Sequence, residues 1–154
     1  GGDTNLLGSA SNAVVVVVYL PSLYEFIGFA PPLGPAGTYN DPGIAEPANL
    51  GSDVPIKWRL NDLDGNTVTD RATLGLLRAD RNSDCAGPPE GPGVLLYSPE
   101  TGPASNTFKY DKKTQQFLFN WDTSTVESIG PGCYSLIFQL SDGSAAKAVV
   151  IDLQ

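Results

Sequence analysis

The chain is predicted to be all-β, an antiparallel β-sandwich, and three observations in its 154 residues carry that expectation. It holds 17 Gly and 13 Pro yet is 41% hydrophobic, which suits many short strands joined by tight turns better than disorder. No long window shows the i, i+3, i+4, i+7 stripe of an amphipathic helix. Strand-like segments recur about every ten residues between clusters of turn residues, the spacing of a sandwich. No internal repeat is present, so one unit is expected rather than an array.

The elements follow in order. Gly1 to Asn12 is small and polar apart from Leu6 and Leu7, and reads as a lead-in. Ala13 to Leu20 is a strand built on five consecutive β-branched valines, Val14 to Val18, and ends at Pro21. Tyr24 to Phe29 is a short strand with Tyr24 and Phe26 on one face. Ala30 to Asn49 contains five prolines and is either a packed surface loop or a functional one. Val54 to Leu60 alternates, with Val54, Ile56, Trp58 and Leu60 facing inward. Pro55 then needs an edge or a strand start, where its missing N–H costs no ladder bond. Asp62-Leu63-Asp64-Gly65-Asn66 is a turn, and Ala72 to Ala79 is strand-like through Leu74, Leu76 and Leu77. Asp80 to Gly93 is a second long loop, and Val94 to Tyr97 a short strand. Thr107–Tyr110 pairs with Gln116–Trp121 across Asp111–Thr114 as a hairpin. Cys133 to Leu140 turns at Ser141–Ser144 into a last strand, Ala145 to Leu153. Trp58 and Trp121 fall on inward phases and read as core.

The valine segment departs from the alternation expected of the other strands. A strand with apolar residues at every position needs cover on both faces. Burying one Val side chain contributes roughly 1.5–3 kcal/mol, so five contribute about 8–15 kcal/mol as an upper bound. Exposed, the segment would template aggregation. Two arrangements meet the need. Val14, Val15, Val16, Val17, Val18, Tyr19 and Leu20 form a subunit interface, added as a strand to a neighbouring copy, or they form the sandwich's own first strand with Pro21 as the kink between sheets.

Composition excludes several functions. The net charge of −8 disfavours nucleic acid and anionic membrane surfaces, both of which need Lys and Arg. No apolar run approaches the ~20 residues of a membrane span. The start at Gly1-Gly2-Asp3-Thr4 is expected either of a mature chain whose signal peptide has been removed or of a Gly-Gly expression scar. With no His in the chain, zinc and Cys-His or Ser-His chemistry lack their usual partner. Cys85 and Cys133 read as one disulfide, which implies an oxidising compartment, with two free buried thiols as the alternative.

Several stretches together resemble the PxKF-type immunoglobulin-like module of secreted bacterial proteins. They are Tyr24-x-Phe26-x-Gly28-Phe29-x-Pro31-Pro32, then Gly51-Ser52-Asp53-Val54-Pro55-Ile56-Lys57-Trp58, with Trp58 where that family usually has Phe. The turn Asp62-x-Asp64-Gly65-Asn66, Tyr110-Asp111-x-x-Thr114-x-x-Phe117, Trp121, Gly132-Cys133 and Asp142-Gly143 follow in the same order. The resemblance covers about residues 24–154. It implies an immunoglobulin-like sandwich in a secreted or surface protein and no catalytic residues. The loop from Gly34 to Asn49 is longer than that pattern, and Leu6 to Leu20 lies outside it. The chain therefore divides into 1–23, a lead and candidate donor strand, and 24–154, the sandwich.

No constellation for catalysis emerges. Asp62-Leu63-Asp64-Gly65-Asn66 lacks the distal Glu of a calcium loop and reads as a turn. Asp80, Asp84, Glu90, Glu100 and Asp111 are read as solvated loop acids, with no pair singled out for glycosidic chemistry. Lys57 is read as an outward lysine protecting a strand edge. Among Tyr19, Tyr24, Phe26, Phe29 and Tyr39, the strand aromatics are read as core and Tyr39 as an exposed contact. The expected function is a non-enzymatic extracellular subunit, without metal or cofactor, that self-assembles into a homopolymeric filament by N-terminal strand addition. The alternative is a spacer or carbohydrate-binding module with a polysaccharide contact.

Overall fold

Two antiparallel sheets pack face to face in the computed structural model, which describes residues 20–103 and 108–154. The strands are β1 (Tyr24–Phe29), β2 (Gly37–Thr38), β3 (Gly43–Ile44), β4 (Asp53–Asp62), β5 (Leu74–Arg81), β6 (Gly93–Ser98), β7 (Gly102–Pro103), β8 (Phe108–Asp111), β9 (Gln116–Asp122), β10 (Gly132–Leu140) and β11 (Lys147–Leu153). One sheet runs β1-β4-β9-β8. The other runs β2-β11-β10-β5-β6-β7, with β3 parallel to β11. Helical structure among the described residues is confined to two single 3-10 turns, Arg71–Thr73 and Thr123–Val126. The all-β sandwich expected from turn density and strand spacing is the fold observed.

Alternation accounts for the first sheet. Val54, Ile56, Trp58 and Leu60 of β4 and Phe117, Phe119 and Trp121 of β9 are fully buried. The Trp58 ring stacks on Phe117 at 5.4 Å between centroids and meets Phe138 of the opposite sheet edge-on at 4.9 Å. Phe26 and Phe29 of β1 close the same cluster against Phe138, at 5.4 and 5.3 Å. Such pairs contribute roughly 0.5–1.5 kcal/mol each beyond the area they bury.

Pro55 obeys the edge rule inside a central strand. The Lys57 carbonyl accepts from Ala30 N–H on the β1 side, so the backbone of Pro55, two residues earlier, also faces that side. β1 pairs with β4 from Asp62 only as far as Trp58, so the ring nitrogen of Pro55 opposes no ladder. The same geometry corrects the reading of Lys57, which lies between the end of β1 and Leu118 of β9 and protects no edge.

The second sheet departs from alternation in two places. β10 is buried at Cys133, Tyr134, Ser135, Leu136, Ile137 and Phe138 in succession, and β11 at Ala148, Val149, Val150 and Ile151. Consecutive apolar residues are therefore accommodated within one molecule, and the valine segment is not the sole run of its kind. In β5 the inward phase changes between Leu74 and Leu77, where the ladders to β10 and β6 are irregular, so Leu76 does not share their burial. Asp80, read as a loop acid, lies on β5, which extends to Arg81.

The long segment from Ala30 to Asn49 is a packed cover. β2 and β3 pair with Lys147–Val150, and Ala45 and Ala48 donate to the carbonyls of Val150 and Asp152, closing the edge of β11. The loop folds so tightly that a Cβ on Gly37 or Gly43 would lie within about 2 Å of a backbone carbonyl oxygen, at Asp41 and Pro35 respectively.

Trp58 Nε1 is buried without a protein hydrogen-bond partner. Trp58→Ala should lower stability by about 3–5 kcal/mol. Trp58→Phe, which removes the orphaned donor and keeps most of the ring, should cost less than about 1.5 kcal/mol. Urea midpoints at constant m distinguish the two; equal losses would contradict this account of the site.

Candidate functional surfaces

Cys85 and Cys133 form a disulfide, with Cα atoms 5.3 Å apart. Asn82 positions the bridge: its N–H donates to the Cys133 carbonyl, and its buried side-chain amide donates to Ser135 Oγ and the Gly87 carbonyl, each at 3.0 Å. The loop from Asn82 to Pro92 is thereby held over the outer face of β10. Glu90 Oε1 accepts from both the N–H and the hydroxyl of Ser83, and those bonds, the hydroxyl's first, hold its carboxyl below the usual range. Asp84 is exposed on this loop. A stable bridge of this kind suits an oxidising environment.

The other sequence-selected acids serve local structure. Asp62 Oδ1 accepts from the N–H groups of Asp64 and Asn66, each at 2.9 Å, and the Asn66 bond foremost depresses its pKa. The turn thus spends its carboxylate on its own backbone. Asp111 caps its hairpin through Lys113 N–H, and Asp80 pairs with Arg78 at 2.9 Å. Glu100 is exposed beside β7. Among the described residues no group of three or more Cys, Asp or Glu side chains is placed to hold a metal ion.

Val14 to Val18 and Tyr19 lie outside the described residues. Leu20 lies within them and marks where the chain enters the sandwich. Its N–H donates to the Gly143 carbonyl at 3.3 Å, in the turn joining β10 to β11. Asp142 Oδ2 of that turn accepts from Leu23 N–H at 2.8 Å and from Ser22 Oγ at 3.0 Å. Its Oδ1 accepts from the N–H and hydroxyl of Ser144. Partial burial alone would raise this carboxyl's pKa, but the bonds from Ser144, Leu23 and Ser22 outweigh it and hold the pKa down. Sequence reading marked Asp142-Gly143 as a turn, and nothing in the sequence disclosed its bond to a segment 119 residues away.

Three of the concave surfaces among the described residues bear on binding. A groove of about 490 Å³ separates the outer edge of β1 from β2 and the start of β11. Phe26, Ile27, Pro35, Ala36, Ala145 and Ala146 line it, with Lys147 Nζ 5.0 Å over the Phe26 ring. The outer edge of β1 has no strand partner among the described residues. At the opposite side, about 650 Å³ lies among Asp70, Arg71, Tyr97, Phe108 and Tyr110, and Arg71 bonds the Phe108 carbonyl there. The third, about 410 Å³, is a shallow site on the outer face of the second sheet. Tyr39, 42% exposed, lines it together with Ile137, Arg78, Asp80 and Gln139. Tyr24, Phe26 and Phe29 pack partly buried against the core.

No protein-family model matches the chain, and no curated protein matches it.

Two outcomes are expected. Removing the bridge with Cys85→Ala and Cys133→Ala should cost about 4 kcal/mol, because the closed loop spans a sequence separation of 48; an unchanged denaturation midpoint would refute that. Asp62, Glu90 and Asp142 all have folded pKa values depressed below their unfolded ones. Their stabilisation is complete above the ordinary carboxylate value of about 4 and is lost as pH falls through the depressed values. Urea midpoints should therefore decline below about pH 4, and Asp142→Asn should decline less steeply than the parent.

Proposed function

We propose that this protein is a non-enzymatic, secreted structural subunit that assembles into a homopolymeric extracellular filament by donating residues 13–20 as a strand to a neighbouring copy. One observation carries the reading. Among the described residues, the core contacts between the two sheets are made from Tyr24 onward, and the edge of β11 is closed by Gly37–Ala48. The strands described from Tyr24 onward form both sheets, and the apolar surface of the valine segment requires cover of its own. Strand addition supplies backbone partners and buries side chains at once. Donation from each copy to the next is heterologous, so it propagates an open fibre unless the rotation closes. The disulfide supports placement outside the reducing cytosol.

The strand order supports an immunoglobulin-like reading of the sandwich. The orders β1-β4-β9-β8 and β11-β10-β5-β6 correspond to the ABED and GFC-C′ sheets of such sandwiches. Tyr134, near the start of β10, bonds the Gly130 carbonyl through its hydroxyl, as a tyrosine corner does. The Cys85–Cys133 bridge differs from an antibody-type bridge, because Cys85 lies in the loop after β5.

A second reading rests on the Tyr39 site. An exposed ring beside an Arg–Asp pair and an amide suits stacking and bidentate hydrogen bonding to a sugar, which would make the protein a carbohydrate-binding accessory module.

The full chain should form filaments visible by negative stain and elute at high mass. A chain lacking residues 1–19 should remain a folded monomer with an unfolding midpoint close to the parent's. A stable full-length monomer whose truncation unfolds would show that the valine segment belongs to its own sandwich. Monomeric full chain retained on a polysaccharide column, with retention lost in Tyr39→Ala, would favour the second reading.

A further inference from the structure

The assembly reading leaves open where a donated strand would dock, and the two lateral openings of the sandwich differ in chemistry. The opening beside β8 carries Arg71 and Asp70, and the Arg71 guanidinium is committed to the Phe108 carbonyl. A strand of valines laid there would strip water from two charged side chains, which is costly without compensating bonds. The opening beside β1 is lined by Phe26, Ile27, Pro35, Ala36, Ala145 and Ala146, together with Thr38 and with Lys147, whose Nζ lies 5.0 Å over the Phe26 ring. Phe26 joins Phe29 and Phe138 in the core cluster, so this groove opens onto the core itself. Ile27, 50% exposed, lies at the irregularity in the β1–β4 ladder between Phe26 and Gly28. An apolar floor beside an unpartnered strand edge is the surface a β-branched strand covers best.

The path of the chain bears on whose strand fills it. A hairpin between residues 13–20 and β1 would have Leu20 exchange backbone bonds with β1. Leu20 instead bonds Gly143, and Ser22 and Leu23 bond Asp142, so the chain is drawn toward the turn of the opposite sheet before Tyr24. Pro21, which has no N–H, sits between these anchors. Leu20 thus makes its described backbone bond to the β10–β11 turn rather than to β1.

We infer that the groove between β1 and the Ala145–Lys147 stretch is the acceptor site for the valine strand of a second copy, with alternate valines packed onto Phe26, Ile27, Ala36 and Ala146. This rests on the assembly reading, and the test separates the two. Full-length Val16→Cys chains are mixed in denaturant with isotopically labelled Ile27→Cys chains, refolded together and mildly oxidised. Mass spectrometry then counts Val16→Cys–Ile27→Cys bridges. Bridging should exceed that to a Tyr39→Cys control by about tenfold or more, since a docked strand holds the thiols at a high effective concentration. Filaments without this excess would overturn the groove assignment and leave assembly standing. A Val16→Cys/Ile27→Cys double variant that closes its own bridge as a monomer would overturn both.

Discussion

β10 is hydrogen-bonded along both edges and covered on both faces. β5 and β11 flank it, Tyr134, Leu136 and Phe138 enter the core, and Cys133, Ser135 and Ile137 are buried on the other side. A strand so enclosed needs a second layer outside its sheet. The Asn82–Pro92 loop supplies it at Cys133 and Ser135, held by the disulfide and by the Asn82 amide on Ser135. β11, its neighbour, would otherwise present an open edge, and the glycine-dependent fold of residues 35–43 closes it. The turn beyond β10 then presents Asp142 to the incoming chain at Ser22 and Leu23. Disulfide, loop cover and N-terminal anchor are consequences of one doubly buried strand.

The same enclosure bears on function. A sandwich whose second sheet is closed at β11 keeps two lateral openings, and their linings differ. One is bridged by the Arg71 guanidinium, while the other has a mostly apolar lining to which Thr38 and Lys147 are added. Burial of apolar surface is non-directional, so hydrophobic chemistry alone does not tell one partner from another. The outer edge of β1, without a strand partner among the described residues, differs from an apolar floor in this respect, because a ladder demands an extended partner in register.

Where a strand has one wet face, its pattern was legible. Val54–Leu60 and Gln116–Trp121 alternate and face as expected, and Pro55 satisfies its rule through the early end of β1. The hairpin β8–β9 pairs Tyr110 with Phe117 across the expected turn. Strands β2 and β3 were not legible, since two-residue pairings depend on backbone approach and carry no side-chain period. The phase change in β5 was hidden for a related reason: a bulge is a property of the ladder, and Leu74, Leu76 and Leu77 are chemically alike. Lys57 was misplaced because an outward lysine looks the same on an edge strand and on an interior one.

The sequence by itself determined the all-β class, the inward aromatic rows of β4 and β9, and a pair of cysteines suited to one bridge. These follow from local preference and period, which each residue carries wherever it lies. Only the tertiary structure decided that consecutive apolar residues in β10 and β11 are covered within the molecule, that the proline-rich loop seals an edge, and that Leu20 is tied to Gly143. Those outcomes depend on contacts between residues far apart in the chain, and such contacts are set by the closure of both sheets around one core.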